Sequence, residues 1–237
     1  MKKVVQNFLP SHNGFHFPNY FADVPYEFSL LGLKVKGGKA SNGMCGGMIY
    51  AVCDLFYSGQ QAPDQQIAPD KGPLFVYLSQ RLIESFSLPF GPLQYYIWMN
   101  PWLPDSDGQL PKISLTVHGR AWKTIVVEWP KIKKEIDANR LCPIGIILLK
   151  SWNPDHLGRN HQVLVYGYEL EGNDLKLLLY DPNSPGDDGV SLAVNVAEPL
   201  KRAVITYTNS QGKAGDVLCF FKTRYGLKAP SLYPVRI

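Results

Sequence analysis

The sequence predicts an α+β fold in which a mainly helical first half packs on a mainly antiparallel-sheet second half. Two patterns predict it. Up to about residue 141 the apolar residues recur at intervals of three and four, and beyond residue 142 they fall into short β-rich runs divided by turn residues. The scale is set by composition: 45% of the 237 residues are hydrophobic and 19% are charged, enough for a large core that needs no metal or disulfide as a staple. A single domain over 1–237 is expected, with an irregular lead-in (1–43), a mainly helical lobe (44–141) and a mainly β lobe (142–237).

Residues 1–43 are rich in Gly, Pro, Asn and aromatic side chains, which predicts irregular chain. From Met44 to Tyr57, the residues Met48, Ile49, Val52, Leu55 and Phe56 keep the helical period, and Gly59 is placed as a stop. A Pro/Gln loop over 60–73 leads to a second helix over about 74–87, with Leu74, Tyr77, Leu78, Leu82, Ile83 and Phe86 on one side. A short third helix is expected from Leu93 to Met99, followed by a loop over 101–111. The stretch 112–127 has no clear period, and Pro130 suits the first position of a helix over 130–140.

The period then changes. IGIILLK (144–150) is a short apolar run that predicts a buried strand, and HQVLVYGYEL and LKLLLYD flank EGND as the arms of a hairpin. GVSLAVNV, RAVITYT and VLCFFKTR predict three more strands.

Charge and cysteine usage narrow the functional classes. The 24 basic and 20 acidic residues leave a formal charge of +4, spread along the chain; even Lys131, Lys133 and Lys134 are followed at once by Glu135 and Asp137. No basic stripe with stacking aromatics is present, so a nucleic-acid partner is not expected. The start, MKKVVQNFLPSHNG, is broken by Gln6, Asn7 and Pro10 before it can form a signal core, and the longest apolar run, 143–149, falls far short of the ~20 residues of a spanning helix. A cytoplasmic protein without a membrane span is expected. The cysteines Cys45, Cys53, Cys142 and Cys219 include no CxxC pair. Cys45 and Cys53 would lie about 12 Å apart along one helix, beyond disulfide reach. The pairs His12/His16 and His156/His161 lack an acidic or thiolate partner in pattern, and Gly37-Gly38 lacks the context of a phosphate cradle, so neither metal nor cofactor is expected.

Three segments carry chemistry. In Ser41-Asn42-Gly43-Met44-Cys45-Gly46-Gly47-Met48 a cysteine opens a helix, where unpaired N–H groups and the aligned peptide dipoles favour a thiolate. Gly46 and Gly47 each cost about 1 kcal/mol relative to Ala in a helix, so close approach of a substrate or a neighbouring element is implied. In Asn160-His161-Gln162-Val163-Leu164-Val165-Tyr166-Gly167-Tyr168 a histidine opens a strand, at the sheet end. In Leu179-Tyr180-Asp181-Pro182-Asn183 a carboxylate follows the next strand, where it can hold an imidazole in one tautomer. Each alone has an ordinary structural explanation. Their order, thiol on a helix, imidazole on a strand, acid or amide on the next strand, is that of a cysteine hydrolase.

GMCGGM, NHQVLVYGYE and LYDPN together resemble the papain-like cysteine peptidase superfamily, and are most similar to the branch that trims double-glycine leaders from bacteriocins. The motifs cover some 30 residues, and the matching order of elements extends the likeness over about 44–225. The resemblance implies a papain-like fold with its site between two lobes, Cys45 as nucleophile, His161 as general base and acid, Asp181 as the orienting residue, and a peptide or acyl substrate. It also implies a glutamine about six residues before the cysteine; that position is Lys39, which leaves Asn42 as the nearest oxyanion candidate, with Asn19 as a more distant one. That departure keeps open a papain-like module that binds without turnover, and an acyltransferase or transglutaminase-like enzyme shares the same triad. Register leaves a second choice. A two-residue turn at Gly172-Asn173 puts Asp181 opposite Leu164, on the wrong side of the sheet for His161, and a three-residue loop puts Asn183 opposite His161. Only a bulge or an uneven loop brings Asp181 beside the imidazole. Motif likeness selects Asp181; simple hairpin geometry selects Asn183. Trp152, nine residues before His161, is a packing residue or a shield for the imidazole, while Cys53 and Cys219 read as buried and inert.

Overall fold

The computed structural model describes residues 1–30, 33–86, 90–110 and 115–230, and mixes helix and strand in the α+β manner. The chain opens with β1 (Lys2–Val4), a one-turn helix α1 (Pro10–Asn13), and the hairpin of β2 (Pro25–Leu30) and β3 (Leu33–Lys39). Helices α2 (Cys45–Tyr57), α3 (Gly72–Ser85) and α4 (Phe90–Met99) follow, then the short pair β4 (Gly108–Leu110) and β5 (Leu115–Val117). A long helix covers Arg120 to Asp137. The remaining strands are β6 (Cys142–Ile147), β7 (His161–Glu171), β8 (Asp174–Tyr180), β9 (Ser191–Asn195), β10 (Ile205–Thr208), β11 (Ala214–Val217) and β12 (Cys219–Lys222).

Eight strands make one antiparallel sheet in the order β11-β10-β9-β8-β7-β6-β12, with β1 added to β7. β7 is the longest. One of its edges is shared by β6 along 161–165 and by β1 along 167–169, and its other edge carries β8. The strands expected from IGIILLK, the EGND hairpin and the three later runs are all present. The lead-in is corrected: it is not irregular throughout, since β1 and the β2–β3 hairpin lie within it. Three residues of β1 show no alternation of their own; their backbone is paired only because β7 extends past the end of β6.

The helix bounds follow their local chemistry. α2 ends at Tyr57, and Gly59 takes the left-handed conformation (φ 66°). There its N–H donates to the Phe56 carbonyl while that of Gln60 donates to Leu55, the paired bonds of a glycine-closed helix end. The second helix starts at Gly72, earlier than expected, and Ser87 lies outside the described residues. The expected start at Pro130 is corrected, because the helix already begins at Arg120 and passes through the proline. Proline supplies no N–H and crowds the carbonyl four residues back. The turn before it widens accordingly: Lys123–Glu128 is π-helical, and the Trp129 N–H donates to Thr124, five residues back.

α2 is buried from Gly46 to Leu55, beyond the single apolar face that its spacing predicts. One side lies against the sheet; α3 and the segment after β12 cover the rest. Asp54 and Arg81, both buried, form the bond across that second interface, with Arg81 Nε 2.7 Å from Asp54 Oδ2. Tyr77, Tyr225 and the Lys228 N–H also donate to Asp54, and Arg81 donates to the Gly226 carbonyl. Both oxygens of this buried carboxylate thus have partners, the condition under which a buried charge is tolerated. The glycine pair finds its reason here. A Cβ at Gly47 would run into the Leu78 carbonyl oxygen and stand 3.1 Å from the Leu82 nitrogen, so two helix backbones touch.

Gly47→Ala should therefore destabilise the fold, although alanine is the better helix former. An overpacked contact of this kind costs about 1–3 kcal/mol, or a thermal midpoint lower by roughly 2–12 °C in a domain of this size. A melting curve superimposable on that of the parent chain would refute the helix–helix account of the glycine.

Candidate active site

Cys45 is the first residue of α2. A 3₁₀ turn, Ala40–Asn42, leads to Gly43, whose φ of 89° redirects the chain into the helix. A side chain is strained at that φ, and a Cβ there would also lie 2.9 Å from Asn19 Nδ2. Asn19 is the clasp of this loop: its Oδ1 accepts the Met44 N–H at 2.6 Å. The amide next to the cysteine is thereby satisfied, and no acidic side chain occupies the first turn of α2. A thiolate at Cys45 meets the positive end of the helix without local competition.

His161 opens β7 directly after a 3₁₀ turn, Pro154–Arg159. Asn160, one residue earlier, accepts the Leu148 N–H at 3.1 Å and so closes the loop between β6 and β7. Asp181 follows the last residue of β8 and is buried. Its Oδ1 lies 2.7 Å from His161 Nε2 and accepts the Asn183 N–H at 2.8 Å; its Oδ2 accepts the Tyr207 hydroxyl at 2.8 Å. With Nε2 held by Asp181, Nδ1 is the ring nitrogen left to face the thiol.

The register explains how Asp181 reaches the imidazole. The hairpin pairs Glu171 with Asp174 and keeps that count through Gly167 and Leu178, then shifts so that Val165 faces Leu179 and Leu164 faces Tyr180. Tyr166 is the extra residue, a β-bulge. Beyond it the alternation on β8 is reversed relative to β7, and Asp181 shares a face with His161.

The three groups couple electrostatically. Burial by itself would raise the Cys45 thiol, but the charge of His161, a hydrogen bond with its ring, and the Gln162 and Gly46 backbone N–H groups bring it below the ordinary cysteine range. Burial by itself would lower His161; the Asp181 carboxylate, then the Cys45 thiolate, push it up to about 10. Asp181 sits below the usual carboxylate range against its own burial, through the charge of His161 and bonds from the ring, the Asn183 N–H and Tyr207. The other thiols show what burial does without an imidazole. Cys53 is raised far above its ordinary value, Cys142 is pushed to about 12, and Cys219 is also raised. Cys142 belongs with the buried set.

Of the expected site residues, Cys45, His161 and Asp181 are brought together. Asn183 is at the imidazole too, with Nδ2 3.2 Å from His161 Nε2, and its Oδ1 accepts from Asn19 Nδ2 at 3.3 Å. The shorter bond is that of Asp181. Asn42 is exposed at the end of the 3₁₀ turn, and Asn19 rather than Asn42 clasps the Cys45 loop. Lys39, where a glutamine was implied, is exposed and bound to Asp23. Tyr207 was not singled out in the sequence; it is an ordinary strand tyrosine 26 positions after Asp181, and no spacing marks it.

Other candidates fall elsewhere. Trp152 stacks edge-on against the exposed Trp102, ring centroids 4.3 Å apart. Among the described residues, no three His, Cys, Asp or Glu side chains are grouped to hold a metal; His16 binds Asp64 and the Ser11 carbonyl, and His156 binds Ser151. A cavity of about 1060 Å³ lies between α4, the long helix and residues 221–227. None of Cys45, His161 or Asp181 lines it, although Ser85 and Tyr95 in its wall lie close behind Cys45, beside Gly46 and Gln162.

Compared with known proteins, the chain matches no family model, no curated protein and no solved structure.

Ion-pair coupling has a measurable signature. At pH 6 a free thiol with a pKa near 8.5 is under about 1% ionised, so iodoacetamide should label Cys45 at least ~10-fold faster than free cysteine, even after the lower nucleophilicity of a low-pKa thiolate. The rate should level off through neutral pH and rise again as His161 loses its proton near 10. In His161→Ala only burial acts strongly on the thiol, and labelling at pH 6 should fall to or below the free-thiol rate. A single titration at or above pH 8.5, indifferent to His161→Ala, would show that no pair forms.

Proposed function

We propose that the chain is a papain-like cysteine hydrolase that cleaves a peptide or related acyl bond through a covalent acyl-enzyme. One observation carries the reading: a helix-start thiol held low and a buried imidazole held high, with Asp181 fixing the far nitrogen of the ring. The resemblance of the three motifs supports it independently, as does the placement of the thiol on a helix and of the imidazole and carboxylate on the sheet that the helix packs against.

The chemistry follows from the atoms. Cys45 Sγ, as thiolate, adds to the carbonyl carbon, and the carbonyl electron pair moves onto oxygen. The Cys45 N–H, at the open end of α2, is one donor to that oxyanion. Asn19 is the best-placed side-chain donor. With Oδ1 fixed on the Met44 N–H and Nδ2 lying along Gly43, it supplies a side-chain amide at the nucleophile's loop, as the glutamine of the family does from a nearer position in sequence. His161 gives its Nδ1 proton to the departing amine as the tetrahedral adduct collapses, leaving a thioester. The same nitrogen then takes a proton from water, whose oxygen attacks the thioester and releases the acid with return of the Cys45 thiolate. Asp181 stays ionised throughout, holding the tautomer and compensating the imidazolium.

The test combines trapping and turnover. An irreversible peptidyl chloromethyl ketone should alkylate Cys45 in the parent chain and not in His161→Ala, and a pool of quenched peptides should yield cleavage products that disappear, by ~10³-fold or more, in Cys45→Ala. Asn19→Ala should lower kcat by about 10²-fold, the worth of one oxyanion donor, whereas Asn42→Ala should leave it unchanged. Products carrying an added amine in place of water would redirect the reading to acyl transfer. Failure of both trapping and turnover across the pool would overturn it in favour of a non-catalytic binding module.

A further inference from the structure

The carboxylate of Asp181 is held from three directions: the imidazole and the Asn183 N–H at Oδ1, and the Tyr207 hydroxyl at Oδ2. The first two come from the hairpin that carries Asp181. Tyr207 comes from β10, two strands farther along the sheet, and is the group that fixes the second oxygen. Its hydroxyl also lies 3.4 Å from Ser184 Oγ, and Ser184 in turn accepts from Asn209 Nδ2. Asp181 is only 2% exposed, and Tyr207 is half-buried beside it.

We propose that Tyr207 is a positioning residue of the site: it locks the rotation of the Asp181 carboxylate so that Oδ1 faces His161, and keeps water away from that bond. This rests on the reading of Cys45 and His161 as a working pair. A carboxylate can turn about its Cβ–Cγ bond. The Asn183 N–H anchors the oxygen that meets the imidazole, and the Tyr207 hydroxyl adds a restraint on the other oxygen, so that both ends of the carboxylate are held. A phenol is a suitable restraint. It donates one directional bond, carries no charge to compete with the imidazolium, and covers the carboxylate with an apolar ring.

The sign of the expected pH effect follows from the hydrogen bond. A donor to the ionised form favours that form, so losing it makes Asp181 easier to protonate, and a protonated Asp181 no longer supports the imidazolium. Tyr207→Phe keeps the ring and removes the hydroxyl. The acid limb of Cys45 alkylation should move toward neutral pH by up to about one unit, the worth of one bond to a charged acceptor, and kcat should fall up to ~10-fold with KM unchanged. In an Asp181→Asn background the same change should have no further effect, since the partner of the hydroxyl is already neutral. Should Tyr207→Phe fold poorly, 3-fluorotyrosine at 207, a stronger donor of the same shape, should move the acid limb the opposite way. An acid limb that stays in place in either variant, or effects of Tyr207→Phe and Asp181→Asn that simply add, would assign Tyr207 to packing alone. Because alkylation of the parent chain reports the Cys45–His161 pair directly, that result is distinct from failure of the hydrolase reading, in which the parent itself shows no activated thiol.

Discussion

The site depends on one extra residue. Between Gly167 and Val165 the pairing of β7 with β8 slips by one at Tyr166, and that slip decides which side of the sheet Asp181 occupies. Because side chains alternate strictly along a strand, an unbroken hairpin would leave the imidazole and the carboxylate separated by the sheet itself. The bulge is held from the opposite edge. Val5, the residue after β1, donates its N–H to the Tyr166 carbonyl at 2.8 Å, in the interval where β6 has ended its pairing and β1 begins. The Tyr166 ring packs near Phe8, and its hydroxyl donates to the Asp188 carbonyl. The first residues of the chain thus stabilise a distortion that brings Asp181 beside His161, some 160 positions later.

Burial works against each charged member of this group. Taken singly, burial pushes Cys45, His161 and Asp181 each toward its uncharged form, because each loses hydration of its charged form. Cys53 and Cys142 illustrate the single case. The alternation of charge along Cys45, His161 and Asp181, helped by the N–H and hydroxyl donors around it, reverses the outcome. A helix terminus adds at most about 2 kcal/mol to such a balance, so the first-turn position of Cys45 biases the thiol, and the imidazole determines its ionisation. This ordering of magnitudes ties the ion pair to the hydrogen bonds on Asp181, which keep the outermost charge in place.

What the sequence made legible, and what it hid, divides along the range of the forces involved. α2 and its stop at Gly59 were readable because spacing and a left-handed glycine are local signals, and the runs that became β6 to β10 and β12 were readable because they are β-rich and bounded by turns. β1 was not, since its pairing exists only through β7. The helix through Pro130 was misjudged at its start because the π-helical turn that accommodates the proline leaves no mark in composition. The three groups Cys45, His161 and Asp181 could be named in advance, as each begins or ends an element and carries a motif. The bulge could be recognised as a requirement but not located, since a hairpin's length does not encode where its register slips. Asn19 could be named only as a distant oxyanion candidate, and its clasp on the Met44 N–H was hidden; Tyr207, a strand tyrosine, was beyond reach, since only tertiary proximity gives it a task.

The two halves of the site differ in how they are made rigid. The thiol rides on α2, whose backbone touches that of α3 at Gly47 and whose far side is tied by Asp54 and Arg81 to residues 225–228, so Cys45 is fixed by packing along a whole helix. Asp181 lies just past the end of β8 and is fixed by individual hydrogen bonds from Asn183 and Tyr207, while His161, the first residue of β7, pairs with Ile146 of β6 and has its ring held by Asp181. Asn19 joins the halves: its side chain accepts the Met44 N–H and donates to Oδ1 of the Asn183 side chain, and its own N–H donates to the Pro182 backbone carbonyl. A misplacement of about 1 Å between reacting groups can cost about 10²-fold in rate, and a single asparagine bonded to both loops sets that spacing more directly than the packing of either element. The segment that looked least structured in the sequence therefore carries the residue that fixes the distance between the thiol's loop and the carboxylate's.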